Sequence, residues 1–145
     1  MNEGLGLRDY RALAELRYQI RRFVQFSEQA ARKAKLEPQQ HQLLLAIKGL
    51  PGGRRSRIGE LAERMQNKHH STVELVNRLA ARGFVRRQRS TEDRREVLVE
   101  VTSKGEQVLR RLSLAHSAEL RAQGAVLLAA LNLAMRTAAK AGKDQ

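Results

Sequence analysis

Phe84-Val-Arg-Arg-Gln-Arg-Ser-Thr-Glu-Asp-Arg-Arg-Glu-Val-Leu-Val-Glu-Val-Thr-Ser-Lys-Gly105 is the stretch that decides how this chain is read. Phe84 and Val85 open one short strand, and Val97, Val99 and Val101 alternate along a second, with Leu98 and Glu100 on its opposite face. Between these apolar segments fall Arg86, Arg87, Arg89, Arg94 and Arg95, with Asp93 as the nearest counter-charge. Guanidinium groups gathered on an exposed hairpin repel one another unless a polyanion neutralises them. The segment just before, residues 69–82, reads as a helix carrying Arg78 and Arg82. A helix followed by a basic hairpin can enter one groove of a duplex and reach into the next. The pair predicts a DNA-binding wing.

Working outward, Ile58, Leu61, Ala62 and Met65 form one apolar stripe of a short helix, with Glu60, Glu63 and Arg64 outside it. Gln66-Asn67-Lys68 is a turn. The next helix runs from about His69 to Arg82, with Val73, Val76 and Leu79 at helical spacing and Gly83 as its stop. Two helices joined by such a turn, then a hairpin, describe a winged helix-turn-helix. Upstream, residues 8–35 predict a long amphipathic helix through Tyr10, Leu13, Ile20 and Phe23. Leu36-Glu37-Pro38 breaks it, and Pro38 suits the first turn of a second helix through Leu43, Leu44, Leu45 and Ile47. Residues 49–53 are a loop by composition. Thr102 is an expected N-cap for a fifth helix carrying Val108, Leu109, Leu112 and Leu114. Gly124 is expected to divide it from a sixth, ending near Ala141, and the tail from Lys140 to Gln145 is expected to fray. The predicted class is mainly α with a small β-hairpin wing.

Bulk composition points the same way. The formal charge is +13 over 145 residues, and a hydrophobic fraction of 41% suits a folded chain. Residues 54–95 hold twelve Lys and Arg against five Asp and Glu, while the last 50 residues hold seven against five. That concentration implies a nucleic-acid partner before an anionic membrane. No cysteine occurs, which excludes disulfide scaffolds, thiol-ligated zinc and thiol redox switching, and is compatible with a reducing cytoplasm, the expected location. Met1 to Arg8 has no apolar run behind a basic start, so no secretory signal is expected. The longest apolar run, Ala125 to Leu131, is well short of the ~20 residues of a membrane span. Leu127, Leu128, Leu131, Leu133 and Met135 spread around the last helix rather than along one stripe. A helix apolar on most sides is buried on most sides, so the terminal helices are expected to pack against a second copy.

With these pieces in order, the chain resembles the MarR (multiple antibiotic resistance regulator) family. The likeness rests on Ile58-Gly-Glu-Leu-Ala-Glu-Arg-Met65, on Ser71-Thr-Val-Glu-Leu-Val-Asn-Arg-Leu79 with Arg82-Gly83, and on Asp93-Arg94-Arg95. Val101-Thr-Ser-Lys-Gly105 and Leu36-Glu-Pro-Gln-Gln-His-Gln-Leu43 complete it. The resemblance implies a single domain over residues 1–145, with 1–35 and 103–145 as dimerisation helices and 36–102 as the DNA-binding lobe. It implies a homodimer that represses from a palindromic operator and is released by a small-molecule effector. His69-His70 departs from the commonest opening of the family's recognition helix, so base preferences do not carry over.

Site expectations follow. With Val73, Val76 and Leu79 inward, Lys68, His69, His70, Thr72, Asn77 and Arg78 face outward. Side chains near the start of such a helix reach base edges, and later ones meet phosphate. His69, His70 and Thr72 are therefore the base-edge candidates, and Lys68, Ser71, Asn77 and Arg78 the positioning candidates. On the wing, the family motif implies that Arg95 enters a minor groove, with Asp93 holding a neighbouring guanidinium and Arg86, Arg89 and Arg94 on the surface that meets phosphate. Tyr18, Phe26 and His41 are effector-lining candidates at the family level. His41, His69, His70 and His116 form no metal-binding pattern, and the glycines at 49, 52 and 53 lack a nucleotide loop's Lys-Ser/Thr ending. No enzyme, cofactor or metal is expected. The competing reading is an architectural DNA-binding protein, which would favour apolar wedges at the hairpin tip. Ser90-Thr91-Glu92-Asp93 offers none.

Overall fold

A computed structural model describes residues 4–52 and 54–143, with side chains of the last helix described through Arg136. In chain order the elements are α1 (Leu7–Lys33), α2 (Pro38–Lys48), α3 (Ile58–Met65), α4 (His69–Ala81), β1 (Val85–Arg89), β2 (Val97–Val101) and α5 (Ser103–Lys143). This is the mainly helical class with one hairpin that the sequence predicts. Gly53 of the expected loop, and Asp144 and Gln145 of the expected frayed tail, lie outside the described residues.

The chain forms two compact units. One runs from Ala30 to Ser113 and holds a continuous core of Ala31, Leu36, Leu43, Leu44, Leu61, Leu75, Val76, Leu79, Phe84, Val85, Val99, Val108, Leu109 and Leu112. Each fully buried Leu or Val of such a core stabilises by about 1.5–3 kcal/mol relative to exposure. The other unit joins α1 up to Gln29 with α5 from Leu114. There the rings of Phe23 and Phe26 meet His116 edge-on at 6.1 and 5.3 Å, and His116 Nε2 lies 2.8 Å from Ser27 Oγ.

Local chemistry sets the boundaries in the first unit. The α1 helix ends with Lys35 N–H donating to Arg32 O and Leu36 N–H to Ala31 O, both at 2.9 Å. Pro38 opens α2, and the Glu37 N–H donates to Gln40 Oε1 at 3.0 Å. Gln66 takes left-handed φ of 53° between α3 and α4. Gly83, at φ 78°, ends α4, and Phe84 N–H closes onto Leu79 O. Thr102 caps α5 as expected: its Oγ1 accepts the Gly105 N–H at 3.2 Å and donates to Gly83 O at 2.6 Å. Lys48 Nζ sits 2.8 Å from Glu106 Oε1, and that hydrogen bond, then its charge, holds the Glu106 carboxyl below the ordinary carboxylate range.

Two sequence expectations are corrected, on Gly124 and on the wing arginines, and the apolar face of α1 is placed. Gly124 does not divide the C-terminal helix: α5 is continuous from Ser103 to Lys143. An isolated helical glycine costs about 1 kcal/mol against alanine, too little to break a helix made by long flanking helical runs. In α1, Tyr10, Leu13 and Ile20 are exposed, while Ala12, Gln19 and Ala31 are the buried residues. The apolar spacing there marks a face that this single chain does not cover. The arginines are also placed differently: β1 runs to Arg89, so Arg86, Arg87 and Arg89 are strand residues and only Arg94 and Arg95 belong to the tip.

The wing is antiparallel, with Val85 opposite Val101, Arg87 opposite Val99 and Arg89 opposite Val97. The segment before α3, in which no sequence motif stands out, fastens it to the lobe. Val99 N–H donates to Ser56 O at 2.9 Å, Ser56 Oγ to Val99 O at 2.7 Å, and Arg57 bridges Leu98. Arg55 reaches the tip, with Nη1 at 2.9 Å from Glu92 Oε2 and 3.3 Å from Glu96 Oε2, and Nη2 donating to Ser90 Oγ at 2.9 Å. Ser90 is buried, and its hydroxyl also accepts the N–H groups of Glu92 and Asp93. An isolated exposed ion pair contributes little, but one guanidinium holding two carboxylates and a buried hydroxyl is a network.

Two outcomes check this packing. A methyl at Gly105 would press into the Phe84 carbonyl oxygen and come within 2.9 Å of Val101 Cγ1. Gly105→Ala is expected to lower the unfolding free energy by about 1–3 kcal/mol in urea titration, and an unchanged midpoint would contradict the packing. Arg55→Ala is expected to speed amide hydrogen exchange at Ser90 and Glu96, whose N–H groups close the tip, while α2 amides stay protected. Equal protection in the variant would mean that Arg55 does not hold the wing.

Candidate nucleic-acid interface

Which side chains α4 presents depends on how the helix is rotated, and burial settles that. Thr72, Leu75, Val76 and Leu79 are its buried residues, and Val73 is only half-buried. The inward stripe keeps Val76 and Leu79 of the expected Val73-Val76-Leu79 line but is turned by about 50°, half of the roughly 100° step per residue. Thr72 is fully buried and its Oγ1 donates to Lys68 O at 3.1 Å. It is corrected from an outward base-edge candidate to a core residue. A threonine hydroxyl can satisfy itself on the preceding turn, which lets the methyl pack inward.

The opposite face carries His70, Glu74, Asn77 and Ala81, all exposed and spaced so that they share one side. Ser71, half-buried, and Arg78, exposed, lie along one flank of that face. Lys68 and His69 stand exposed at the helix start, where no side chain caps the first N–H groups. Uncapped N–H groups and the positive end of the helix dipole favour a phosphate oxygen there. Glu74 is a surface residue that sequence reasoning missed. Its signal was available, because position 74 shares a side with 70 and 77 once the stripe is turned. Among the described residues it makes no ion pair.

The wing arginines separate into two groups. Arg86 Nε pairs with Glu100 Oε2 at 3.1 Å across the strands, and Arg89 Nη1 donates to Arg94 O at 3.0 Å. Arg87, Arg94 and Arg95 make no ion pair among the described residues and are exposed. Asp93 does not hold a guanidinium. Its Oδ1 accepts the Arg95 backbone N–H at 3.0 Å, closing an Asx turn that sets the direction of the chain into Arg95. The carboxylate is spent on the turn, which is the geometric reason the expected buttress is absent. Arg78 Nη1 lies 3.7 Å from Glu37 Oε2, with both side chains largely exposed.

Of the effector candidates, Tyr18 is exposed with Arg22 Cζ 5.9 Å from its ring centre, and Phe26 packs on His116 in the same unit. His41 is buried in the other unit. No group of three or more His, Cys, Asp or Glu that could hold a metal occurs among the described residues, and no described helix is long and apolar enough to cross a membrane.

Comparison with known proteins bears on this surface directly. Residues 34–96, which contain α2, α3, α4 and the first strand and tip of the wing, match the model of the MarR family. Over 56 residues, 39% of the chain, it is 38% identical to the uncharacterized HTH-type transcriptional regulator YfiV of Bacillus subtilis, and the match spans 35% of that protein. The chain shares its fold with AbsC, a MarR family transcriptional regulator from Streptomyces coelicolor, at TM-score 0.73 and 20% identity, over 97% of this chain and 98% of that one. It also shares it with a point mutant of MepR from S. aureus bound to oligodeoxyribonucleotide, at TM-score 0.64 and 13% identity over 75% and 78% of the two chains. At such identities the structural likeness establishes the fold, while the family model covers the helices and hairpin tip that carry the basic surface. Residues 34–96 thus match the MarR family, and the chain shares the fold of winged helix-turn-helix regulators of that family.

Proposed function

We propose that two copies of this chain bind a roughly palindromic duplex operator as a repressor, with α4 of each copy in a major groove and the wing over the adjacent minor groove. The observation that carries the reading is the pairing of an uncapped α4 start with a fastened wing that leaves Arg87, Arg94 and Arg95 without carboxylate partners among the described residues. A duplex supplies phosphates for both. The solved MepR mutant of the same fold is bound to an oligodeoxyribonucleotide, which supports the same use here.

His69 and His70 are the base-edge residues in this reading, and Asn77 adds an amide that can bind adenine bidentately. Glu74 can only accept, so it calls for a base donor opposite it, such as the cytosine N4 amino group. Lys68, Ser71 and Arg78 position the helix on phosphate, joined by Arg94 and by Arg86 and Arg89 at the strand edge. Arg95 enters the minor groove, aimed by the Asx turn at Asp93. Pairing of two copies rests on the apolar side chains left exposed in one: Tyr10, Leu13 and Ile20 of α1, and Leu128, Leu131, Leu133 and Met135 of α5. Exposed apolar surface of this extent is the mark of an interface. Release by a small ligand rests on the family alone.

Titration against duplex tests the reading. With about three or four phosphate contacts per copy, log affinity should fall with log salt at a slope of roughly −5 to −7. The protein should prefer its own upstream region over random duplex by ~10³-fold or more. Arg95→Ala is expected to weaken operator binding about tenfold and flatten the preference for A·T-rich flanks. A variant that bound every sequence as the parent does would remove Arg95 from the wing's reading role.

A further inference from the structure

A second basic feature lies where the end of α1, the start of α2 and the end of α4 meet. An open groove of about 560 Å³ is lined there by Arg32, Lys35, Pro38, Arg78 and Arg82 over a floor that includes Leu36, with Glu37 as its carboxylate. Arg82 is structural: Nη2 donates to Lys35 O at 2.6 Å, Nη1 to Gln40 Oε1 at 3.1 Å, and Cζ lies 4.8 Å from the Phe84 ring centre. These bonds tie the α1–α2 corner to the last turn of α4. Arg78 belongs both to the groove and to the flank of α4 that starts at Ser71, so the groove continues the helix's outward surface.

Lys35 is the telling residue. It has φ of 62° at the position after the α1 end, where the paired Lys35-to-Arg32 and Leu36-to-Ala31 bonds form the turn that normally takes glycine. Gln66 has the same conformation, but its Nε2 donates to Glu63 O at 2.9 Å, which compensates locally. The Lys35 ammonium makes no hydrogen bond or ion pair among the described residues. A side chain is thus held, by the helix-end bonds and by Arg82 on its carbonyl, in a backbone conformation that disfavours it, with its ammonium at the lip of a cationic groove.

We propose that this groove seats a sugar-phosphate segment of the duplex that α4 reads, with the Lys35 ammonium on a phosphate and Arg32 and Arg78 beside it. This rests on the DNA-binding reading above and extends it to a contact that carries no sequence information. Charge complementarity favours a polyanion, since the one lining carboxylate, Glu37, already faces Arg78. The shape favours a polymer over a small organic anion: small-ligand sites bury most of their ligand, whereas this groove stands open to solvent.

Lys35→Gly separates binding from folding, because glycine prefers the conformation that lysine is forced into. Its thermal midpoint is expected to equal or exceed that of the parent, while the salt slope for duplex binding becomes shallower by about 2 for a dimer. The ratio of operator to random-duplex affinity should stay the same, and Lys35→Arg should restore the slope. An unchanged slope in Lys35→Gly, with the parent binding duplex normally, would overturn the groove assignment alone. So would saturable binding of inorganic phosphate to the free protein that Lys35→Gly abolishes without altering the slope, since that would assign the groove to a small anion. A parent protein that bound no duplex would overturn the groove and the DNA-binding reading together.

Discussion

Thr72, Leu75, Val76 and Leu79 on one side of α4 pack into the core that α2, α3 and β1 share with it, and that packing fixes the rotation of the helix about its own axis. What α4 can offer a duplex follows from this contact. It leaves His70, Glu74 and Asn77 outward, carries Ser71 and Arg78 along one flank, and keeps the helix start open to phosphate. A core is packed to crystal-like density, so the rotation is not adjustable by small degrees. One residue of slip would hide Asn77 and show Leu75, at the cost of burying an amide and exposing a leucine.

The wing depends on a second constraint, the cost of holding positive charge close to positive charge. The chain meets part of that cost internally. Arg55 is bound by Glu92, Glu96 and Ser90, Arg86 by Glu100, and Arg89 by a carbonyl. Arg87, Arg94 and Arg95 remain, on a hairpin already made rigid by the Ser56–Val99 ladder. Because their backbone is already held, these arginines give up only side-chain freedom when a polyanion arrives, which favours binding. The groove at Lys35 applies the same logic at the other end of α4, where a strained backbone holds an ammonium outward.

Much of this was legible in the sequence. Strand alternation at Val97, Val99 and Val101, the stop at Gly83, the first-turn Pro38 and the Thr102 cap are short-range features, and each stands where its local chemistry put it. The errors came from features that local pattern does not carry. A Val73-Val76-Leu79 stripe leaves Thr72 outward, yet the buried stripe runs through Thr72 itself, whose hydroxyl is satisfied within its own helix. Gly124 looked like a break, but a helix flanked by strong formers runs through it. The helical spacing of Tyr10, Leu13 and Ile20 was real, and the face it marks stays uncovered in a single copy. The Asp93 carboxylate had two local partners in reach and took the backbone N–H, a choice set by turn geometry. Ser56 and Arg55 could not have been found from spacing, because their partners lie about forty residues away in the wing.

Hydroxyl-radical footprinting of the purified protein on DNA flanking its own gene tests the central claim most directly, namely that paired copies set the α4 face and the fastened wing against successive grooves of one duplex. The account predicts two protected regions whose centres are one helical turn apart, about 10–10.5 base pairs, each flanked by minor-groove protection. A single protected patch, or a ladder indistinguishable from free DNA at low salt, would contradict it.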